Sequence, residues 1–296
     1  MTTADSNKQN PVEQYPQPPF PNQEQAIPGT EAEMTPKADH GETSYKGCGK
    51  LTGRKAIITG GDSGIGRAVA IAFAREGADV LIAYLNEHED AKETAKYVEE
   101  AGRKAVLVAG DIQDEQHCKN IVDRAVKELG GLDILVNNAA FQKTYESLQD
   151  LSSEDLDRTF RTNIYAMYYL CKAAEPHLKP GSTVVNTTSV NAYKPSPSLL
   201  AYAPTKGAIQ NFTAVLGQLW AEKGIRVNCV APGPIWTPLI PSTMPPDKVK
   251  SFGQDVPLKR AGQPAELAPA YVLLASQDSS YMTASTVQVT GGSPTI

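Results

Sequence analysis

The chain has 296 residues, 41% of them hydrophobic and 21% charged, an ordinary composition for a globular protein whose core needs neither disulfide nor metal. Its formal net charge of −5, with no long basic run, argues against nucleic acid or an anionic membrane surface as the main partner. The four cysteines, Cys48, Cys118, Cys171 and Cys229, show no CxxC pair and no histidine at ligand spacing, which fits free thiols in a reducing cytosol and no bound metal.

Residues 1 to about 50 form a distinct arm. The run Gln14-Tyr15-Pro16-Gln17-Pro18-Pro19-Phe20-Pro21 excludes helix and cannot donate to a sheet ladder, so an extended conformation is expected. Its composition fits a disordered tail. Its aromatics, Tyr15, Phe20 and Tyr45, fit docking on the domain or on a neighbouring subunit, and both readings stay open. The start of the chain lacks the cationic and apolar stretches of a signal peptide, and no apolar run is long enough to span a bilayer, so the cytoplasm is the expected location.

From residue 51 to 296 one domain is expected, in which short apolar runs alternate with amphipathic stretches. Strands are predicted at 56–59, 80–83, 105–109, 134–136, 183–186, 225–230 and 286–289. Helices are predicted at about 64–76, 90–101, 114–129, within 153–178, and at 205–223. Nearly continuous apolar strands alternating with helices imply an α/β fold with a doubly wound, Rossmann-like parallel sheet covered on both faces.

Thr59-Gly60-Gly61-Asp62-Ser63-Gly64-Ile65-Gly66 follows the first strand and opens the first helix, where free N–H groups and the dipole end attract a pyrophosphate. Its spacing is GxxxGxG. At the end of the second strand, Ala83-Tyr84-Leu85-Asn86 offers no carboxylate for the adenosine ribose hydroxyls and no arginine for a 2′-phosphate, so NAD and NADP both stay open. Asp111 is placed to meet an adenine edge or to cap the next helix.

Tyr202 and Lys206 are four apart and share one helix face. A tyrosine hydroxyl ordinarily titrates near pH ~10, and a neighbouring ammonium is expected to bring it into range for proton transfer. Ser189, at a strand end, is placed to hydrogen-bond a substrate oxygen.

With these motifs in hand, the chain resembles the short-chain dehydrogenase/reductase family over roughly residues 50 to 293. The resemblance rests on Thr59-Gly60-x-x-x-Gly64-x-Gly66, Asn137-Asn138-Ala139-Ala140, Ser189, Tyr202-x-x-x-Lys206 and Pro232-Gly233. It implies an NAD(P)-dependent hydride transfer between nicotinamide and a carbonyl or alcohol. Tyr202 would be the acid/base, Lys206 would tune it and bind the nicotinamide ribose, and Ser189 would orient the substrate. Asn163 would hold a water in the relay. The implied nucleotide contacts are Gly60, Asp62, Ser63, Gly64, Ile65, Gly66, Tyr84, Asp111, Ile112, Asn138, Ala139, Ala140, Tyr202, Lys206, Pro232, Gly233, Ile235 and Thr237. The proline-rich arm with Lys37-Ala38-Asp39-His40-Gly41-Glu42 further resembles the YghA-like or general-stress-protein-39-like branch, whose members are regarded as tetrameric aldehyde or alcohol oxidoreductases.

Pro204 departs from the small residues usual between such a Tyr and Lys, although a helix's first turn tolerates proline. An epimerase or dehydratase of the extended branch would need a larger C-terminal domain than the ninety or so residues after Lys206. A non-enzymatic nucleotide sensor would have lost its proton-transfer residues. The proline-rich segment from Ile235 to about Gln254, carrying Trp236, Leu239, Ile240, Met244 and Phe252, is expected to be a mobile apolar lid.

Overall fold

The computed structural model describes residues 8–295. Seven strands form one parallel sheet: β1 (Lys55–Thr59), β2 (Asp79–Tyr84), β3 (Ala105–Ala109), β4 (Ile134–Asn137), β5 (Thr183–Thr187), β6 (Arg226–Pro232) and β7 (Thr286–Val289), in the order β3-β2-β1-β4-β5-β6-β7. Successive side chains along each strand enter opposite layers. Ile58, Ile82, Val136, Val185 and Val230 face α1 (Gly64–Arg75), α2 (His88–Glu100) and α9 (Pro264–Ala275). Ile57, Leu81, Leu135, Val184 and Val227 face α3 (Glu115–Leu129), α5 (Ala166–Ala174) and α6 (Tyr202–Ala221). Both faces are therefore buried, which is why the strands read as unbroken apolar runs.

The order reverses between β1 and β4, and a crevice opens there at the strands' C-terminal ends, as expected where a doubly wound sheet changes direction. Register carries the residues that matter to this edge: Thr59 lies beside Ala83, and Asn137 beside Asn186.

Two elements differ from the sequence expectation. Helix α9 has no amphipathic period, because Leu267, Ala268, Tyr271, Val272, Leu274 and Ala275 are buried around most of its circumference and Pro269 interrupts it. The helical stretch after Ser152 is not uniform: α4 (Ser153–Phe160) passes through a π-helical turn at Arg161–Tyr165 into α5. Such a turn inserts one residue into the helical repeat and often marks a functional position. Here it turns Asn163 into the interior.

The arm docks on its own domain. Phe20, Met34, Trp236, Ile240, Val249 and Ala261 form a separate small core, with the Phe20 and Trp236 rings stacked at 4.1 Å. The Trp236 indole donates to the Pro36 carbonyl at 2.9 Å, and Phe20 N–H donates to the Lys250 carbonyl at 2.9 Å. Arg260 donates to the Pro11 carbonyl at 2.7 Å. The segment expected to be a mobile lid folds as two short helices, α7 (Leu239–Thr243) and α8 (Pro246–Lys250), clamped beneath the arm. All four cysteines are free thiols, Cys48 exposed and the other three buried. Among the described residues, no helix is long and apolar enough to cross a membrane, and no cluster of three or more His, Cys, Asp or Glu is grouped to hold a metal ion.

Candidate active site

The crevice is one continuous cavity. It runs from Asp62, Tyr84, Glu87, Asp111 and Ile112 at the β1–β2–β3 end, past Gly60, Gly64 and Ile65, to Ser189, Tyr202 and Lys206 under the lid.

At its centre lies the glycine-rich turn. Gly64 has φ +50°, and a Cβ there would press on the Thr237 side chain at 3.0 Å, so the bare backbone keeps the cradle open. Gly66 allows the first turn of α1 to sit directly against the Gly60 carbonyl, where a Cβ would collide. Gly64 N–H donates to the Glu31 carboxylate at 2.7 Å. The next two N–H groups, of Ile65 and Gly66, have no acceptor among the described residues. Of the two, Ile65 lines the cavity and Gly66, a predicted contact, does not; an unpaired donor on the cavity wall at the positive end of a twelve-residue helix is what an anionic diphosphate requires, so the residues present fit a dinucleotide.

Asn138 also lines this cavity, but its side-chain amide holds the turn, donating to the Thr59 carbonyl at 3.1 Å and the Gly60 carbonyl at 3.3 Å. Thr59 in turn receives the Asn138 and Ala139 N–H groups on its hydroxyl. Asp111 does not cap α3. That cap is Asp114, which accepts from Gln116 N–H, while the exposed Asp111 carboxylate accepts from Gln113 and borders the cavity.

The expectation that no carboxylate serves the adenosine corner holds for Tyr84–Asn86, but the fold supplies two from either side. Asp62 in the turn and Glu87 beyond β2 both line it. Burial, reinforced by the Glu87 charge, pushes Asp62 up to about 7. Neither arginine nor lysine lines this corner.

At the other end Tyr202 opens α6 and Lys206 follows one turn later, both buried, with the ammonium 5.1 Å from the phenol ring centre. Pro204 occupies the first turn, so the Tyr–Lys spacing survives. Lys206 Nζ donates to the Thr187 carbonyl at 2.9 Å. Ser189 sits just past β5, and its hydroxyl accepts from Asn191 N–H at 3.1 Å. Burial pushes Tyr202 up to about 12, opposed by the Ser189 hydroxyl, and pushes Lys206 down to about 7. Desolvation favours the neutral form of both groups.

Asn163 does not line this cavity. Its amide accepts from Phe141 N–H at 2.8 Å and donates to the Phe141 carbonyl at 2.9 Å and to the Thr205 hydroxyl at 3.1 Å. It thereby ties the loop after β4 to the turn of α6 that carries Tyr202.

Ile27, Pro28 and Gly29 of the arm also line the cavity, against Pro238, Leu239 and Ser242 of the lid. No sequence motif pointed to them. Behind them His40 bridges Glu31 and Glu42, with each ring nitrogen 2.8 Å from a carboxylate oxygen. Burial alone would lower the His40 value, but the hydrogen bonds to both carboxylates raise it from 6.5 to about 9, against the opposing charge of Arg67. Burial likewise opposes ionisation of Glu42, but His40 outweighs it and holds that carboxyl down at about 2, against an ordinary 4.5. The raised His40 contribution to stability is complete below pH 6.5 and fades as pH climbs through 9; the Glu42 contribution is complete above pH 4.5 and fades toward 2. The stability gap between the wild type and His40→Ala is expected to be widest between those limits and to close above pH 9 in thermal melts. A gap that widens with rising pH would refute the assigned charge on His40.

A doubly wound sheet with a nucleotide cradle at its switch point and a buried Ser–Tyr–Lys group at the far end defines a nicotinamide-dependent oxidoreductase. The family model described as Enoyl-(Acyl carrier protein) reductase matches residues 60–293, and the chain belongs to the short-chain dehydrogenase/reductase family, in its YghA-like, general-stress-protein-39-like branch. It is 57% identical over 265 residues to General stress protein 39 of Bacillus subtilis, covering 90% of this chain and 93% of that one. It is 47% identical over 274 residues to NADPH-dependent aldehyde reductase 1, chloroplastic, of Arabidopsis thaliana, covering 90% and 95%. Among solved structures, a short chain dehydrogenase from Burkholderia cenocepacia J2315 in complex with NADP superposes with a TM-score of 0.78 at 31% identity, covering 82% of this chain and 98% of that one. The chain is an NAD(P)-dependent oxidoreductase acting on a small molecule.

Proposed function

We propose that this enzyme reduces aldehydes or ketones and oxidises the matching alcohols, with Tyr202 as the acid/base. The observation that carries this reading is the burial of Tyr202, Ser189 and Lys206 on one wall of the cavity whose midpoint is the phosphate cradle. In reduction, the bound nicotinamide nucleotide supplies the hydride. The Tyr202 hydroxyl gives its proton to the forming alkoxide, and the Ser189 hydroxyl hydrogen-bonds the same oxygen and holds it in place. Lys206 returns a proton to the phenolate and would hold the nicotinamide ribose. Asn163 positions α6 through Thr205 and Phe141 and serves the relay from behind. Gly60, Ser63, Gly64 and Ile65 would hold the phosphates, with Gly66 packed behind them; Asn138, Ala139 and Ala140 would line the adenosine side, and Pro232, Gly233, Ile235 and Thr237 would approach the nicotinamide amide.

Leu199, Leu239, Ile240, Met244 and Phe252 make the substrate end apolar, which suits a small or hydrophobic carbonyl, and the plant relative's name agrees with an aldehyde. The adenosine corner leaves the choice of nucleotide open: Asp62 and Glu87 would accept from ribose hydroxyls, and no arginine or lysine lines it to pair with a 2′-phosphate.

The catalytic domain spans residues 51–296 and residues 1–50 are its arm. A homotetramer in the cytoplasm is the assembly and location we propose, supported by exposed Tyr168 on α5 and Val215 and Leu219 on α6. A panel of aldehydes, ketones and sugars, run with NADH and NADPH side by side and followed by nicotinamide absorbance, tests the reading. Turnover of at least one carbonyl compound is expected, and none with either nucleotide would overturn it.

A further inference from the structure

Glu31 is a charged residue in a short turn of a proline-rich arm, yet it is 5% exposed and engaged on every side. Its carboxylate accepts from Gly64 N–H at 2.7 Å and meets His40 Nε2 at 2.8 Å, and its own N–H donates to Asp90 at 2.9 Å. Arg67, on the first turn of α1, pairs with Asp90 at 3.3 Å. A buried carboxylate is costly unless paired and hydrogen-bonded, and here it has both. Its position is informative. It binds the first N–H of the phosphate cradle but does not line the cavity, so it does not occupy the diphosphate's place. The residues just before it do line the cavity. Gly29 is wedged so closely that a Cβ would come within 2.6 Å of the Pro238 carbonyl.

We propose that Glu31 is a positioning residue of the dinucleotide site: it pins the Gly64 peptide from behind, so that the Ile65 N–H faces the diphosphate and Ile27–Gly29 wall it in. His40, bridged to Glu42, offsets the Glu31 charge, which would otherwise repel the bound diphosphate. The cradle of this enzyme is therefore built by two chain segments, and the glycine-rich turn alone is incomplete. The inference rests on the reading of the cavity as the nucleotide site.

The experiment compares wild type, Glu31→Ala, Glu31→Gln and His40→Ala for NADH and NADPH dissociation constants by nicotinamide fluorescence, for kcat and nucleotide KM, and for melting temperature. Losing one hydrogen bond to a charged group corresponds to about tenfold in affinity. Glu31→Ala is expected to raise Kd and nucleotide KM about tenfold or more, with kcat at saturating nucleotide changed less than about threefold. Glu31→Gln, which keeps an acceptor for Gly64 N–H, is expected to recover most of that affinity. His40→Ala, which leaves Glu31 in place but unneutralised, is expected to weaken binding about threefold or more, and it decides the question if Glu31→Ala does not fold. Unchanged Kd in Glu31→Ala overturns the inference, as does a fall in kcat and melting temperature with unaltered nucleotide KM. A wild type that binds neither nucleotide sinks instead the reading of the cavity itself.

Discussion

Replacing Tyr202 with phenylalanine is expected to lower kcat by about 10²–10⁴-fold, the usual worth of a positioned proton donor, while nucleotide binding stays within about twofold. The two effects separate because the hydroxyl is at one end of the cavity and the phosphate cradle is at its middle. The ring is buried in a small cluster with Leu199 and Ala203, and phenylalanine fills the same space, so the fold should not change. Nicotinamide absorbance gives kcat, and nicotinamide fluorescence gives the dissociation constant. Turnover within tenfold of the wild type would show that some other group moves the proton.

Removing residues 1–40 is expected to lower the melting temperature by roughly 10 °C. Phe20 and Met34 are buried at 3% and 1% exposure, and each such side chain contributes about 1.5–3 kcal/mol on burial. In a domain of this size each kcal/mol is worth about 2–4 °C. The loss should be larger than the two side chains alone predict, because Trp236 and Ile240 lose their cover and the Trp236 indole loses its acceptor at Pro36. The same deletion is expected to raise nucleotide KM, and to leave oligomer size unchanged, since the arm packs on its own domain. An unaltered melting temperature would rule out docking in solution, and a changed oligomer size would place the arm at a subunit contact.

What could be read from the sequence was whatever is local or strictly spaced. The sheet's strands were legible because two-sided burial leaves unbroken apolar runs, and Thr59–Gly66, Ser189 and Tyr202–Lys206 because their chemistry requires fixed spacing. Helix α9 was not legible. It is buried almost all round and carries Pro269 inside it, so no period marks it, although Pro264 at its first position and the Gln263–Glu266 capping box are start signals the sequence did hold. The π-helical turn at Arg161–Tyr165 leaves no compositional trace, yet it decides where Asn163 points. The expected effect of Lys206 on Tyr202 followed from their spacing, whereas the burial that favours the neutral form of both groups is a tertiary property that spacing does not carry. Glu31 lay furthest from view, because the residues that define it, Gly64, Asp90 and Arg67, lie 33 or more positions away. The lid's pinning likewise depends on the arm, at the opposite end of the chain.

That last distance bears on the order of synthesis. The arm leaves the ribosome before the rest of the domain, but its partners Trp236, Lys250 and Arg260 lie 200 or more residues later: Pro36 meets Trp236 across 200 residues, and Pro11 meets Arg260 across 249. The glycine-rich turn and the first strands can pair as they emerge, and Glu31 can reach Gly64 and Asp90 early, whereas Pro11, Phe20 and Pro36 find their seat only once residues 236–260 have been made. A chain that stops before Trp236 therefore lacks the seat for Phe20 and Pro36, however many strands it has made.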